Sequence, residues 1–75
     1  AGQVCVSAQR VFVQENIVDH VASALAKMAD KLIVGDPMDP ETEVGPLILP
    51  GEVDRIEMWV DEAVAGGAKL LCGGK

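Results

Sequence analysis

The chain has 75 residues, of which 49% are hydrophobic, and it contains one Phe, one Trp and no Tyr. This length allows one small domain at most, and a core built from Val, Ala, Leu and Ile is typical of a parallel sheet covered by helices. Six basic and twelve acidic residues give a formal net charge of -6, which disfavours nucleic acids and anionic membrane surfaces as partners.

A strand and then a helix are predicted in the first half of the chain. Residues 10–14 read RVFVQ, a β-branched and aromatic run that indicates a buried strand. From Asn16 onward the apolar residues recur every three or four positions and predict an amphipathic helix; they are Ile17, Val21, Leu25, Met28 and Leu32. Asn16 is the expected N-cap and Gly35 the expected stop.

An extended loop is predicted over residues 35–51. It holds all four prolines and two Asp-Pro steps, so neither a helix nor a strand ladder can continue far through it. A loop this long is unusual in a compact domain, and its apolar residues Leu47, Ile48 and Leu49 need cover. We therefore expect the loop to pack on protein that lies outside these residues.

A second helix and a second strand complete the pattern. The helix is expected to begin near Pro50 and to end at Gly66-Gly67, and residues 69–72 (KLLC) form the strand. The predicted fold class is α/β, a strand-helix-loop-helix-strand crossover unit with two short parallel strands. Because two strands alone do not make a stable parallel sheet, we expect the unit to belong to a larger one.

The two cysteines, Cys5 and Cys72, have neither the spacing of a metal site nor that of a redox pair. We expect no disulfide and no metal, and Cys72 is interpreted as a core thiol. No apolar run of about 18 residues and no basic, apolar leader is present. The expected compartment is cytosolic.

Four motifs together resemble one enzyme family. The start Gly2-Gln3-Val4-Cys5 resembles the Gly-Gln-x-Cys sequence around the reactive cysteine of NAD(P)-dependent aldehyde dehydrogenases. Arg10 then opens a strand, the stretch from Gly35-Asp36-Pro37 to Gly45-Pro46 is similar to a loop of that family, and residues 62–74 resemble its next segment. The resemblance implies that residues 1–75 are part of a catalytic domain. Ser7 departs from the smaller residue usual in the family at that position, which leaves the subfamily open.

The resemblance implies catalytic and cofactor-binding roles for particular residues. Cys5 would attack the aldehyde carbonyl to give a thiohemiacetal and then a thioester. A helical turn over residues 5–9 would direct amides at the thiolate and the oxyanion, and the backbone amide of Cys5 itself would serve the oxyanion. Glu52 would bind ribose hydroxyls of NAD or NADP, with Arg55 keeping a positive charge nearby. An ordinary first-turn acid beside a surface arginine is the open alternative.

The implied partners are an aldehyde substrate and further copies of the parent enzyme in a homo-oligomer. The dinucleotide fingerprint, the water-activating Glu and the oxyanion Asn of the family are absent from these residues, so the isolated chain is predicted to be inactive. Two alternatives stay open. The parent enzyme could release the thioester to coenzyme A, or the chain could be a non-catalytic structural module that self-associates through exposed strand edges.

Overall fold

The computed structural model describes residues 2–74. These residues form two α-helices, α1 (Val18–Asp30) and α2 (Gly51–Ala65), and one isolated parallel β-bridge between Val34 and Val44. Within this part of the chain the two helices do not pack against each other. The radius of gyration is 14.1 Å, whereas a compact domain of this length is expected to have about 11 Å. The chain is therefore more open than a globular domain.

Helix α1 begins one residue later than a cap at Asn16 would place it. The amide of Ile17 donates a hydrogen bond to the carbonyl of Gln14 at 3.1 Å, so residues 15–17 form a turn that leads into the helix. Ile17 then occupies the N-cap position without any side-chain hydrogen bond. The prediction of Asn16 as N-cap was wrong, because this turn places the first helical residue at Val18.

The same helix ends at Asp30, before the predicted stop at Gly35. The cause lies in Ile33, whose amide donates to Oε2 of Glu43 at 2.9 Å. Its carbonyl accepts from the amides of Glu43 and Val44 at 2.8 and 3.0 Å. These bonds hold Ile33 and Val34 against residues 43–44, and β-branched residues favour such pairing over a further helical turn.

The loop after α1 contains two turns held by aspartate side chains. The amide of Met38 donates to Oδ1 of Asp36, and the amide of Glu41 donates to Oδ1 of Asp39, each at 2.9 Å. In both cases a proline separates the aspartate from the donor residue. An aspartate side chain that accepts from the amide two residues later is common in tight turns. The two Asp-Pro steps thus return the chain so that Val44 meets Val34.

Helix α2 has the bounds that its sequence predicts. Pro50 is the N-cap residue. The amide at the start of a helix makes no helical hydrogen bond, so the missing amide hydrogen of Pro50 does not weaken the helix. The helix ends at Ala65, followed by Gly66 as C-cap and by Gly67 with φ 106. Since L-residues with a side chain rarely adopt a positive φ, Gly67 supplies the conformation that turns the chain away from the helix axis.

The predicted strands, residues 10–14 and 69–72, lie outside helix and strand in the described part of the chain, and their pairing stays a prediction.

No side chain among residues 2–74 is fully buried. Phe12 is 91% exposed and Ile48 81%. The apolar stripes that predict both helices therefore face solvent. Neither helix of residues 2–74 has the length and apolar character needed to cross a membrane.

Candidate active site

Cys5 is a free, exposed cysteine in a tight turn. The amide of Ser7 donates to the carbonyl of Val4 at 3.0 Å, so the turn spans residues 4–7. It is shorter than the helical turn predicted over residues 5–9, since residues 8–10 are irregular. Cys72, interpreted from the sequence as a core thiol, is only partly buried.

The turn leaves backbone donors free beside the thiol. Among residues 2–74, the amides of Cys5 and Val6 make no hydrogen bond to backbone or side chain. An amide held in position without a partner can donate to an oxygen that gains negative charge near it. The arrangement therefore suits a thiol whose adduct carries an oxyanion.

The residue two positions before Cys5 connects this turn to the proline-rich loop. Nε2 of Gln3 donates to the carbonyl oxygen of Pro46 at 3.3 Å. Oε1 of the same side chain accepts from the amide of Ile48 at 3.1 Å. Gln3 thus uses its donor and its acceptor together on residues that lie 43 and 45 positions away in sequence.

Glu52 lies in the first turn of α2 and is paired with Arg55. Nε of Arg55 donates to Oε2 of Glu52 at 2.7 Å, and Nη2 of Arg55 donates to the same oxygen. The guanidinium also lies over the ring of Trp59, 4.3 Å from its centroid. A planar cation held by a carboxylate and by an aromatic face has a defined orientation. Oε1 of Glu52 has no hydrogen-bond partner within residues 2–74.

A groove of about 500 Å³ joins the residues before Cys5 to the start of α2. Gly2 and Gln3 form one side, and the other side consists of loop and helix residues, namely Leu47, Ile48, Leu49, Glu52, Arg55, Ile56 and Trp59. The structure therefore brings Glu52 beside the segment that leads to the predicted nucleophile. Cys5 itself does not line this groove.

Two features of the site were not predicted from the sequence. Trp59 lies four positions after Arg55 on α2, a spacing that places two side chains on one helix face and could have indicated their contact. The bridge made by Gln3 has no such local signal. Its partners are distant in sequence, and only the folded chain brings them together.

Comparison with known proteins gives consistent matches. The model of the aldehyde dehydrogenase family matches residues 1–75. A 3-sulfolactaldehyde dehydrogenase of Priestia aryabhattai is 49% identical over 75 residues, which are 100% of this chain and 16% of that protein. A betaine aldehyde dehydrogenase of Cereibacter sphaeroides is 40% identical with the same coverage. An NADP(+) succinate-semialdehyde dehydrogenase of Mycobacterium avium is 46% identical over 99% of the chain and 16% of its own length. The chain thus spans about a sixth of the length of these curated relatives.

Proposed function

Because the chain belongs to the aldehyde dehydrogenase family, we propose that its residues act within a longer enzyme that oxidises an aldehyde to a carboxylic acid with NAD(P). Cys5 is the nucleophile in this proposal. The observation that carries it is the exposed thiol of Cys5, held in a turn whose amides at positions 5 and 6 have no hydrogen-bond partner within residues 2–74. The family model matches residues 1–75, which include this turn.

The reaction follows from the chemistry of a thiol and a carbonyl. The thiol of Cys5 loses its proton to solvent, and the sulfur bonds to the aldehyde carbon as the carbon–oxygen π bond opens. The amide of Cys5 would donate to the oxygen that becomes negative. A nicotinamide cofactor, when bound, would supply the two-electron oxidant that takes the aldehyde carbon to the thioester. Water then adds to the thioester, the carbon–sulfur bond breaks, and the acid leaves as the thiol regains its proton.

The residues present fit one part of the cofactor, its nicotinamide-side ribose. Oε2 of Glu52 is occupied by Arg55, while Oε1 has no partner within residues 2–74 and belongs to the groove that also contains Gln3. A carboxylate oxygen accepts hydrogen bonds from hydroxyl groups. Glu52 would therefore hold a ribose hydroxyl, and Arg55 would keep the carboxylate oriented. The name of the Mycobacterium avium relative includes NADP(+), and we leave NAD and NADP as alternatives.

Substitution of the nucleophile tests this function in an enzyme of full family length that contains the chain. Cys5→Ala is expected to lower kcat for NAD(P)H formation by roughly 10⁴-fold or more, because nothing replaces the covalent step. Cys72→Ala is the matched control and is expected to leave kcat within about twofold of the original. Full turnover by the Cys5→Ala enzyme would refute the proposal.

A second candidate function is a structural module that self-associates. The observation in its favour is that no side chain of residues 2–74 is fully buried and many large apolar side chains face solvent. Exposed apolar side chains favour association between copies. Within the enzymatic proposal, release of the thioester to coenzyme A is the alternative to hydrolysis, and analysis of the product, acyl-CoA or free acid, distinguishes the two.

A further inference from the structure

Both polar atoms of the Gln3 side chain take part in a clamp. An amide side chain has one acceptor oxygen and one donor nitrogen, and in Gln3 the nitrogen donates to Pro46 while the oxygen accepts from Ile48. The orientation of the amide group is determined by its partners, since the carbonyl of Pro46 can only accept and the amide of Ile48 can only donate. Exchanging the nitrogen and oxygen would lose both bonds.

The segment that Gln3 holds has no other support of this kind. Within residues 2–74, the hydrogen bonds made by residues 45–48 are those to Gln3. Pro46 has no amide hydrogen, so the segment cannot join a regular ladder at that position. The path of the chain from Gly45 into α2 therefore depends on the Gln3 side chain.

We propose that Gln3 is a positioning residue that sets the geometry between the Cys5 thiol and the Glu52 carboxylate. Cys5 lies two residues after Gln3, and Glu52 lies four residues after Ile48. Gln3 and Glu52 also line the same groove. This inference rests on the proposed function, in which Glu52 would hold the cofactor ribose and Cys5 would carry the aldehyde carbon that gives up the hydride.

The expected consequence is a loss of rate greater than the loss of stability. Both hydrogen bonds are exposed to solvent, where water competes for the same groups, so each contributes little to the free energy of unfolding. The rate of hydride transfer is far more sensitive to the relative position of the reacting groups, because a displacement of about 1 Å can lower this rate by roughly 100-fold.

The experiment uses Gln3→Met in an enzyme of full family length that contains the chain. Methionine preserves the length of the side chain and removes the donor and the acceptor. Gln14→Met is the matched control, since the Gln14 side chain is exposed and makes no hydrogen bond within residues 2–74. Three quantities are measured for each variant: kcat for NAD(P)H formation, the rate of Cys5 alkylation by iodoacetamide, and Tm.

A positioning role predicts that Gln3→Met lowers kcat by about 10- to 100-fold, while the alkylation rate and Tm stay close to those of the control. Alkylation does not require the cofactor, so its rate reports the reactivity of the Cys5 thiol and does not depend on the position of Cys5 relative to Glu52. The inference is overturned if kcat stays within about twofold of the control, or if kcat, alkylation and Tm all fall together as in a merely structural defect.

Gln3→Glu provides a second variant if the methionine variant does not fold. It retains an acceptor for the amide of Ile48, but a carboxylate oxygen replaces the donor to the carbonyl of Pro46, so that two acceptors face each other. A clear decrease in kcat is therefore expected, and an unchanged kcat overturns the inference. Cys5→Ala separates this inference from the proposed function. An active Cys5→Ala enzyme refutes the function, whereas an inactive one together with a fully active Gln3→Met enzyme refutes the clamp alone.

Discussion

Removal of the Glu52 carboxylate tests the proposed cofactor contact most directly. Glu52→Ala deletes the free Oε1 and also releases Arg55 from its partner. A hydrogen bond to a charged group contributes about 1.5–3 kcal/mol. The Glu52 side chain is 33% exposed, and competition with water places the contribution near the lower end of that range. Since about 1.4 kcal/mol corresponds to tenfold in affinity, KM for the cofactor is expected to rise about tenfold.

The measurement is initial-rate kinetics with varied cofactor at saturating aldehyde, in an enzyme of full family length that contains the chain. Asp54→Ala is the matched control, because Asp54 is the other acid in the first turn of α2 and is exposed. It shares the favourable interaction with the helix N-terminus but makes no bond to Arg55. Glu52→Gln retains an acceptor without charge and is expected to raise KM by about threefold.

Either of two results would refute the proposed contact between Glu52 and the cofactor. One is a cofactor KM for Glu52→Ala within about twofold of the unsubstituted enzyme. The other is an equal increase for Asp54→Ala, which would show that the helix end and not the carboxylate of Glu52 affects the cofactor. A change in the KM for the aldehyde alone would likewise indicate that Glu52 contacts the aldehyde and not the cofactor.

Two further predictions concern the thiols and the isolated chain. In the full-length enzyme Cys5 is expected to be alkylated at least about tenfold faster than Cys72, because the Cys5 thiol is exposed and Cys72 is partly buried. Mass spectrometry of the two peptides measures this difference, and equal labelling would contradict it. The isolated chain is expected to form no NAD(P)H from an aldehyde, and to elute earlier from a size-exclusion column as its concentration rises, because its apolar stripes face solvent. Robust NAD(P)H formation would contradict the first expectation, and a monomeric elution volume at every concentration would contradict the second.

The helices could be predicted from the sequence because their signals are local. The apolar spacing of each stripe needs only neighbouring residues, and Pro50 and Gly66-Gly67 define the bounds of α2 through their own backbone preferences. The end of α1 could not be placed in this way. It depends on Glu43, whose carboxylate binds the amide of Ile33 from ten residues away. Propensity favoured a longer helix, and a bond across the loop shortened it.

The same division applies to the candidate site. The residues around Cys5 and the proline-rich loop were sufficient to predict the family, and the family model matches the whole chain. They did not reveal that Gln3 connects these two motifs, because its partners lie 43 and 45 residues away. Nor did they place Arg55 between Glu52 and Trp59.

By itself the sequence therefore determined the family, the predicted nucleophile and the course of α2, all of which depend on residue types at short spacing. The tertiary structure alone decided where α1 stops, which loop Gln3 holds and which oxygen of Glu52 binds Arg55. Hydrogen bonds between segments distant in the chain have no local pattern, since their geometry exists only after the turns between them have formed.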